Sequence, residues 1–186
     1  MLSDKAWRIA KNQHERDRRR WVGSRPRAVH ALDIGCGQGN MTSAIHADSL
    51  TVCDIDPAQL VIAGLVLADH GVDASLCVAD IYDLPFPDAT FDAVYCLETL
   101  EHLDSPARAV REIERVCCGT IYVTVPAHGH MTHTTGHVQD FTEESLSAMF
   151  DNVVMCETRE PFIYLVSLSQ GAAPSGNRGG TPGVLE

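Results

Sequence analysis

The segment AVHALDIGCGQGN, at residues 28–40, constrains the fold of this chain more than any other stretch. Its short apolar run ends at closely spaced glycines. This pattern is typical of a buried strand that opens into a loop and then a helix, which we expect from about Asn40 to Ala47. Further strands are predicted at 50–55, 74–80, 91–97 and 119–126. Helices or loops separate these strands, so the pattern predicts an α/β fold with a mostly parallel sheet covered on both faces.

The other helices are indicated by their caps and by the spacing of their apolar residues. Asp56 and Pro57 begin a helix that reaches about His70, and because it is apolar nearly all round we expect it to be buried. A helix after Pro106 has one apolar face, and Thr142 caps the last helix. The segments NVVMCET and FIYLVSLS are separated by a short turn and predict an antiparallel hairpin.

Charge divides the chain into a basic start and an acidic body. Residues 1–30 hold nine of the fourteen Lys and Arg residues and carry a net charge of +6, whereas the remainder carries −17. We interpret residues 1–27, with a helix over 3–21, as a basic helix or lid over a ligand-binding domain formed by 28–170. The Gly-, Pro- and Ser-rich residues 171–186 are predicted to be disordered. The acidic body disfavours a general nucleic-acid binder.

Hydropathy and cysteine usage predict a soluble, cytoplasmic protein. No stretch reaches the roughly eighteen apolar residues of a membrane span, and the first residues are too polar for a secretory signal. The seven cysteines include no CxxC pair, so we expect reduced, mostly buried thiols.

The glycine loop does not fit a dinucleotide. The dinucleotide fingerprint is GxGxxG, whereas Gly35, Gly37 and Gly39 are spaced GxGxG and Asn40 stands in the place of the third glycine. Asp33 would also place a negative charge beside two phosphates, which is costly in a partly desolvated cleft. A ligand with a cationic amine and no phosphate removes this conflict. S-adenosylmethionine (SAM) is such a ligand, with its amino group near Asp33 and its carboxylate and ribose against the glycine backbone.

Two more carboxylates stand where the next strands are predicted to end. Asp54 is placed to accept hydrogen bonds from both ribose hydroxyls, and Asp80 to accept one from the adenine amino group. Ile55 and Ile81 follow these acids directly, and we predict that they form apolar walls for the adenine ring.

Several motifs in this order resemble those of the class I SAM-dependent methyltransferases. They are LDIGCGQG (32–39), DIDPAQL (54–60), ADIYDLPFPDATFDAVYC (79–96) and ETLEHLDSP (98–106). The resemblance implies a Rossmann-like, doubly wound sheet of seven strands with the C-terminal hairpin at one edge and SAM across the first four strand ends. It also implies binding roles for Asp33, Gly35, Gly37, Asp54, Asp80 and Leu97. The family's proline-glycine-glycine turn before the fifth strand is missing here, so we expect a tighter connection at that point.

The stretch ETLEH supplies Glu98, Glu101 and His102 at positions i, i+3 and i+4, which point to one side if the stretch is a helical turn. With His137 from the loop after the fifth strand, these side chains could hold a divalent cation. The arrangement resembles the metal site of the small-RNA 3′-end 2′-O-methyltransferases. Alternatively, the same residues order the active-site turn without a metal, and His102 or His137 acts as the base for an alcohol acceptor.

We therefore expect a SAM-dependent methyltransferase that acts on a small molecule, with oxygen or nitrogen favoured over carbon as the methyl acceptor. The basic helix and a histidine-rich loop that contains His128, His130 and His133 would cover the pocket. Three alternatives stay open: a metal-assisted RNA ribose 2′-O-methyltransferase, a nicotinamide-dependent oxidoreductase and a non-catalytic SAM-binding module. The basic start favours the first and the acidic body disfavours it, while Asp33 disfavours the second.

Overall fold

The computed structural model describes residues 4–129 and 136–169, with side chains from residue 13 onward. It contains the helices α1 (Asp4–Gly23), α2 (Pro57–Asp69), α3 (Pro106–Val116) and α4 (Glu143–Ser147). The strands are β1 (Ala28–Ile34), β2 (Ala47–Asp54), β3 (Ser75–Val78), β4 (Phe91–Leu97), β5 (Cys117–Pro126), β6 (Val153–Arg159) and β7 (Phe162–Leu168). The predictions for His130, His133 and residues 171–186 lie outside the described ranges.

Seven strands of the described chain form one sheet in the order β3-β2-β1-β4-β5-β7-β6. The first five strands pair in parallel, and β7 runs antiparallel to both β5 and β6. The Rossmann-like, mostly parallel sheet with an antiparallel hairpin at one edge is thereby confirmed. The strand order reverses at β1, which has β2 on one side and β4 on the other. The carboxyl ends of β1 and β4 therefore flank the crevice in which sheets of this kind bind ligands.

The predicted boundaries hold best where strands are buried. β1 and β4 begin and end as the apolar runs indicate. The tighter connection before the fifth strand is also confirmed, since α3 ends at Val116 and β5 begins at Cys117.

The helix predicted from Asn40 to Ala47 is wrong. Only Thr42–Ala44 forms a single 3-10 turn, and β2 begins as early as Ala47. Sheet pairing explains the difference, because Ala28 of β1 pairs with Ala47 and its N–H donates to the carbonyl of His46 at 2.9 Å. Residues that would have extended the helix are used by the sheet instead.

The expectation that the second helix is buried all round is also wrong. In α2, Leu60, Ala63 and Leu67 pack into the core, whereas Val61 and Leu65 are 65% and 70% exposed. A helix that packs on a sheet buries only the side that faces it. Here the sheet ends at β3, an edge strand of four residues, so nothing in the described chain covers the opposite side of α2.

α1 packs on one face of the sheet. Trp21 is buried, and its ring lies 6.0 Å from that of Tyr122 in β5 and 5.0 Å from that of Tyr164 in β7. Nearer the start of the helix, Arg18 Nη1 donates to Glu98 Oε2 at 3.4 Å, just beyond the end of β4. The helix thus extends from the core of this face to the carboxyl ends of the strands. None of the helices in the described ranges is long and apolar enough to cross a membrane.

Candidate active site

The glycine loop after β1 has a backbone conformation that other residues rarely adopt. The φ angle is +69° at Gly35, +51° at Gly37 and +77° at Gly39. Gly35 is also pressed against the turn after β4, since an added Cβ would lie 2.5 Å from Cγ2 and Oγ1 of Thr99. At Gly39 an added Cβ would lie 3.2 Å from Ala63 of α2. The loop therefore needs glycine for its conformation, and at Gly35 it needs glycine for space as well.

Asp54 braces this loop from the end of β2. Its carboxylate accepts hydrogen bonds from Gly37 N and from Asp56 N, both at 2.9 Å. An ionised carboxylate offers about four acceptor positions, so two bonds leave capacity for hydroxyl donors. The structure thus places Asp54 directly beside the loop, and its role toward a ribose stays a prediction.

Asp33 is buried at the carboxyl end of β1, with 2% of its surface exposed. Burial raises its pKa to about 7, the hydrogen bond from Thr42 Oγ1 at 2.6 Å opposes the rise, and the nearby charge of Asp54 adds to it. A carboxyl group in this state is readily ionised by a neighbouring cation. The environment of Asp33 therefore suits a ligand amine.

The residues predicted around the adenine differ in accessibility. Asp80 is exposed, and its Oδ1 accepts from Tyr82 N at 2.9 Å. Ile55 is 68% exposed and free to meet a ring, whereas Ile81 belongs to the core and Leu97 is buried at the end of β4. The contribution of these four side chains to cofactor binding stays a prediction.

The turn after β4 begins at Glu98, whose φ of +56° is unusual for a residue with a side chain. Its N–H donates to the carbonyl of Thr124 in β5 at 2.9 Å, which holds the turn against the sheet. Arg18 of α1 pairs with the Glu98 carboxylate and lies over the ring of Phe162, 3.9 Å from its centroid. One arginine thus links the N-terminal helix, the active-site turn and the C-terminal hairpin.

Three of the four predicted metal ligands come together. One ligand atom each from Glu101, His102 and His137 lies within 4.8 Å of the other two, and Glu98 falls outside this group. His102 Nδ1 is 3.0 Å from the carbonyl of Gly136, which can only accept, so this nitrogen carries the proton and Nε2 is left with a lone pair. Glu101 Oε2 and His137 Nδ1 are buried without a hydrogen-bond partner in the described part of the chain. The group therefore presents unsatisfied electron-pair donors.

Burial dominates the electrostatics of this turn. It raises the pKa of Glu98, which Arg18 opposes, and it raises the pKa of Glu101, to which the nearby Glu98 adds. Burial and the neighbouring His102 lower the pKa of His137, so this imidazole is neutral near pH 7. Two buried carboxyls share one arginine, so a further cation would be stabilised here.

Sequence reasoning missed the residues that tie α1 to the site. Arg19 contacts the carbonyl of Asn40 and donates to Ser43 Oγ at 2.7 Å. The basic run was interpreted as a helix or lid over the ligand-binding domain, but no local signal distinguishes Arg18 and Arg19 from their neighbours. His128, expected over the acceptor pocket, is paired with Asp140.

The sequence of this chain is similar to those of several known proteins. A family model described as a methyltransferase domain matches residues 32–120. The chain is 32% identical over 104 residues to ajmaline N-methyltransferase of Rauvolfia serpentina, which covers 53% of the chain and 36% of that protein. It is 37% identical over 105 residues to a ubiquinone biosynthesis O-methyltransferase of Thiobacillus denitrificans, covering 53% and 45%. The chain thus spans less than half the length of either relative.

A solved structure extends the likeness over nearly the whole chain. The N-methyltransferase NodS of Bradyrhizobium japonicum, in complex with S-adenosylhomocysteine (SAH), superposes with a TM-score of 0.66 at 19% identity and covers 91% of this chain and 94% of that one. At this identity the likeness concerns the fold. The sheet order, the glycine loop and the matched family model together identify residues 32–120 as part of a class I SAM-dependent methyltransferase domain.

Proposed function

We propose that this protein transfers a methyl group from SAM to a small-molecule acceptor, at oxygen or nitrogen rather than at carbon. The observation that carries the proposal is the glycine loop held between the carboxylates of Asp33 and Asp54 at the strand ends. These acids suit a ligand with an amine and a ribose and disfavour a diphosphate. The relatives named as an N-methyltransferase, an O-methyltransferase and a sterol C-methyltransferase support a small-molecule acceptor.

Methyl transfer is an in-line displacement at a sulfonium carbon, so alignment and tolerance of a dispersing positive charge supply much of the rate. The turn after β4 offers such an environment, because Glu98 and Glu101 stand there with a single arginine, and a nearby positive charge favours the ionised form of these two carboxyls, whose pKa values burial raises. An alcohol acceptor also needs a base. Without a bound metal, His102 and His137, whose ring centroids are 4.7 Å apart, are the groups that would accept its proton.

The Asp54→Ala variant tests the cofactor site. We expect SAH affinity to fall by about 1 to 2 kcal/mol, or roughly tenfold, because charge-assisted hydrogen bonds to the ribose are lost. Titration calorimetry measures the change. Asp48→Ala is the control, because Asp48 is exposed and paired with Arg27 away from the loop. Equal SAH affinity in both variants, or binding of NADH in place of SAH, would contradict the site assignment.

A second measurement follows from the raised pKa of Asp33. A bound amine favours the ionised carboxylate, so below the free-protein pKa of about 7 binding must release a proton. We expect SAH affinity to rise as the pH increases from 5.5 to 7, by up to about tenfold per unit. Calorimetry in buffers of different ionisation enthalpy counts the proton. Asp33→Asn should bind weakly without this pH dependence; a wild-type affinity that does not change with pH would refute the link.

We further propose that Glu101, His102 and His137 hold a divalent cation. One buried carboxylate oxygen, one buried imidazole nitrogen and a histidine whose tautomer is fixed by the Gly136 carbonyl are donors that such an ion accepts. When bound, the ion would polarise an acceptor oxygen and make it easier to deprotonate. The protein residues position and orient that oxygen.

The same cluster supports a second candidate function, a metal-assisted RNA ribose 2′-O-methyltransferase. Its support is the grouping of Glu101, His102 and His137 beside the basic helix α1. Methyl transfer to the 3′ end of a short RNA that is lost on the 2′-deoxy version would establish this function in place of the leading proposal. Transfer to neither RNA nor small acceptors, with tight SAH binding, would indicate a non-catalytic SAM-binding module.

A further inference from the structure

A cavity of about 360 Å³ lies beside α1, and none of the roles described above uses it. It is lined by His14, Asp17, Arg20, Trp21, Ser24, Arg25, Arg159, Glu160, Phe162 and Tyr164. Its size is within the range of small-molecule sites. The helix positions in this lining recur every three or four residues, so they form one side of α1 that faces the C-terminal hairpin.

The cavity is elongated and reaches the active-site edge of the sheet. The lining positions of α1 run from His14 to Trp21, a length of about 10 Å at the rise of an α-helix, and Ser24 and Arg25 continue the wall beyond the end of the helix. On the opposite wall, Phe162 pairs with Pro126 at the carboxyl end of β5. Arg18 covers the ring of Phe162 and pairs with Glu98, so one end of the cavity adjoins the turn after β4.

The walls combine flat apolar surfaces with guanidinium groups. Three rings, those of Trp21, Phe162 and Tyr164, line the cavity. Arg25 lies over the Trp21 ring at 4.6 Å, and Arg159 lies 5.7 Å from the centroid of Tyr164. Stacked guanidinium groups are weakly hydrated and remain able to pair with an anion.

The charged side chains that line the cavity favour the binding of an anion. Its lining holds three arginines against two acids, whereas the chain beyond residue 30 carries a net charge of −17. Arg20 pairs with Asp17 at 3.4 Å and Arg159 pairs with Glu157. Arg25 has no acidic partner among the described residues and donates only to Trp21 O and Ser24 Oγ, so its guanidinium is the one best placed to pair with an anion.

We infer that this cavity binds the non-reacting part of the methyl acceptor, and that this part is a flat, unsaturated body that carries a carboxylate or a similar anion. The inference rests on the proposed methyltransferase function and names the class of its substrate. Contacts between α1 and the non-reacting part of the acceptor supply binding energy, and this energy holds the reacting end of the acceptor at the turn after β4.

The test uses Trp21 as its own reporter. The chain has two tryptophans, and in a Trp7→Phe background Trp21 is the only one. We expect 2-naphthoate to quench Trp21 fluorescence saturably and to bind at least tenfold tighter than 2-naphthamide, a neutral molecule of the same shape. Calorimetric titration of the unmodified chain with the two compounds repeats the comparison without any substitution.

Arginine variants locate the anion. Arg25→Gln and Arg159→Gln should each weaken 2-naphthoate binding by roughly tenfold and leave 2-naphthamide unchanged. Arg27→Gln is the matched control, because Arg27 lies outside the cavity and pairs with Asp48 at 2.7 Å. Equal affinity for the two compounds, or no saturable binding of either, overturns the inference.

SAH titration of the same samples separates this inference from the proposed function. Normal SAH binding without naphthoate binding removes only the acceptor inference. Loss of SAH binding from the unmodified chain removes the proposed function on which it rests.

Discussion

Replacement of Gly35 by alanine is expected to weaken SAH binding by roughly 100-fold or more, about 3 kcal/mol. The added Cβ would lie 2.5 Å from Thr99 Cγ2 and Oγ1, a distance at which either the Thr99 side chain or the glycine loop must shift. Gly35 also has a φ of +69° and connects β1 to the loop that faces the ligand. Titration calorimetry with SAH measures the loss, and a thermal melt shows whether the variant is folded.

Gly37→Ala is the matched control for this prediction. Gly37 also has a positive φ, but nothing in the described part of the chain lies within 4 Å of an added Cβ, so the cost within the protein itself is limited to about 1 kcal/mol of backbone strain. A second control is Gly35→Ala combined with Thr99→Ala, which removes both atoms at 2.5 Å and should recover part of the affinity. If Gly35→Ala bound SAH as well as Gly37→Ala, the close approach of the loop to the turn would not matter for the cofactor.

The second large effect concerns the divalent cation. Glu101→Ala is expected to weaken Mn²⁺ binding by roughly 100-fold, because a buried carboxylate is the only acidic ligand in the group of three. Calorimetry and the electron paramagnetic resonance signal of free Mn²⁺ measure binding without reference to turnover. Mn²⁺ should also raise the melting temperature of the wild type and not that of the variant, since a ligand stabilises the state to which it binds.

Glu98→Gln is the matched comparison for the metal site. Glu98 belongs to the same buried pair of acids but lies outside the group of ligand atoms and pairs with Arg18. Its substitution should reduce Mn²⁺ affinity much less than Glu101→Ala does. A wild-type protein that binds no Mn²⁺, or an equal loss in both variants, would contradict the proposed ligand set and leave the SAM site untouched.

The sequence was sufficient for the central strands because most of their side chains are buried. FDAVYCL is buried at six of its seven positions and is followed by turn residues, so β4 was predicted to the residue. The turn signals of the C-terminal hairpin were equally plain. The helix over 40–47 was predicted wrongly because local spacing cannot show that Ala28 pairs with Ala47 in the sheet.

The candidate site was predictable in part for the same reason. Asp33 and Asp54 stand at strand ends, and topology alone brings strand ends together. Contacts between residues that are far apart in the sequence leave no comparable pattern in the local sequence. Arg18 reaches Glu98 from eighty residues away in the sequence, and the separation of Glu101 from Glu98 depends on a 3-10 turn at Leu100–His102 rather than an α-helix.

The short turn after the glycine loop also changes where positive charge comes from at this end of the cofactor cleft. A helix macrodipole is the sum of many aligned peptide units, and a single turn at Thr42–Ala44 supplies very little. The guanidinium of Arg19, which contacts the Asn40 carbonyl, supplies positive charge there instead of a helix dipole. Because this charge resides on α1, the position of that helix determines how much positive charge stands beside the glycine loop.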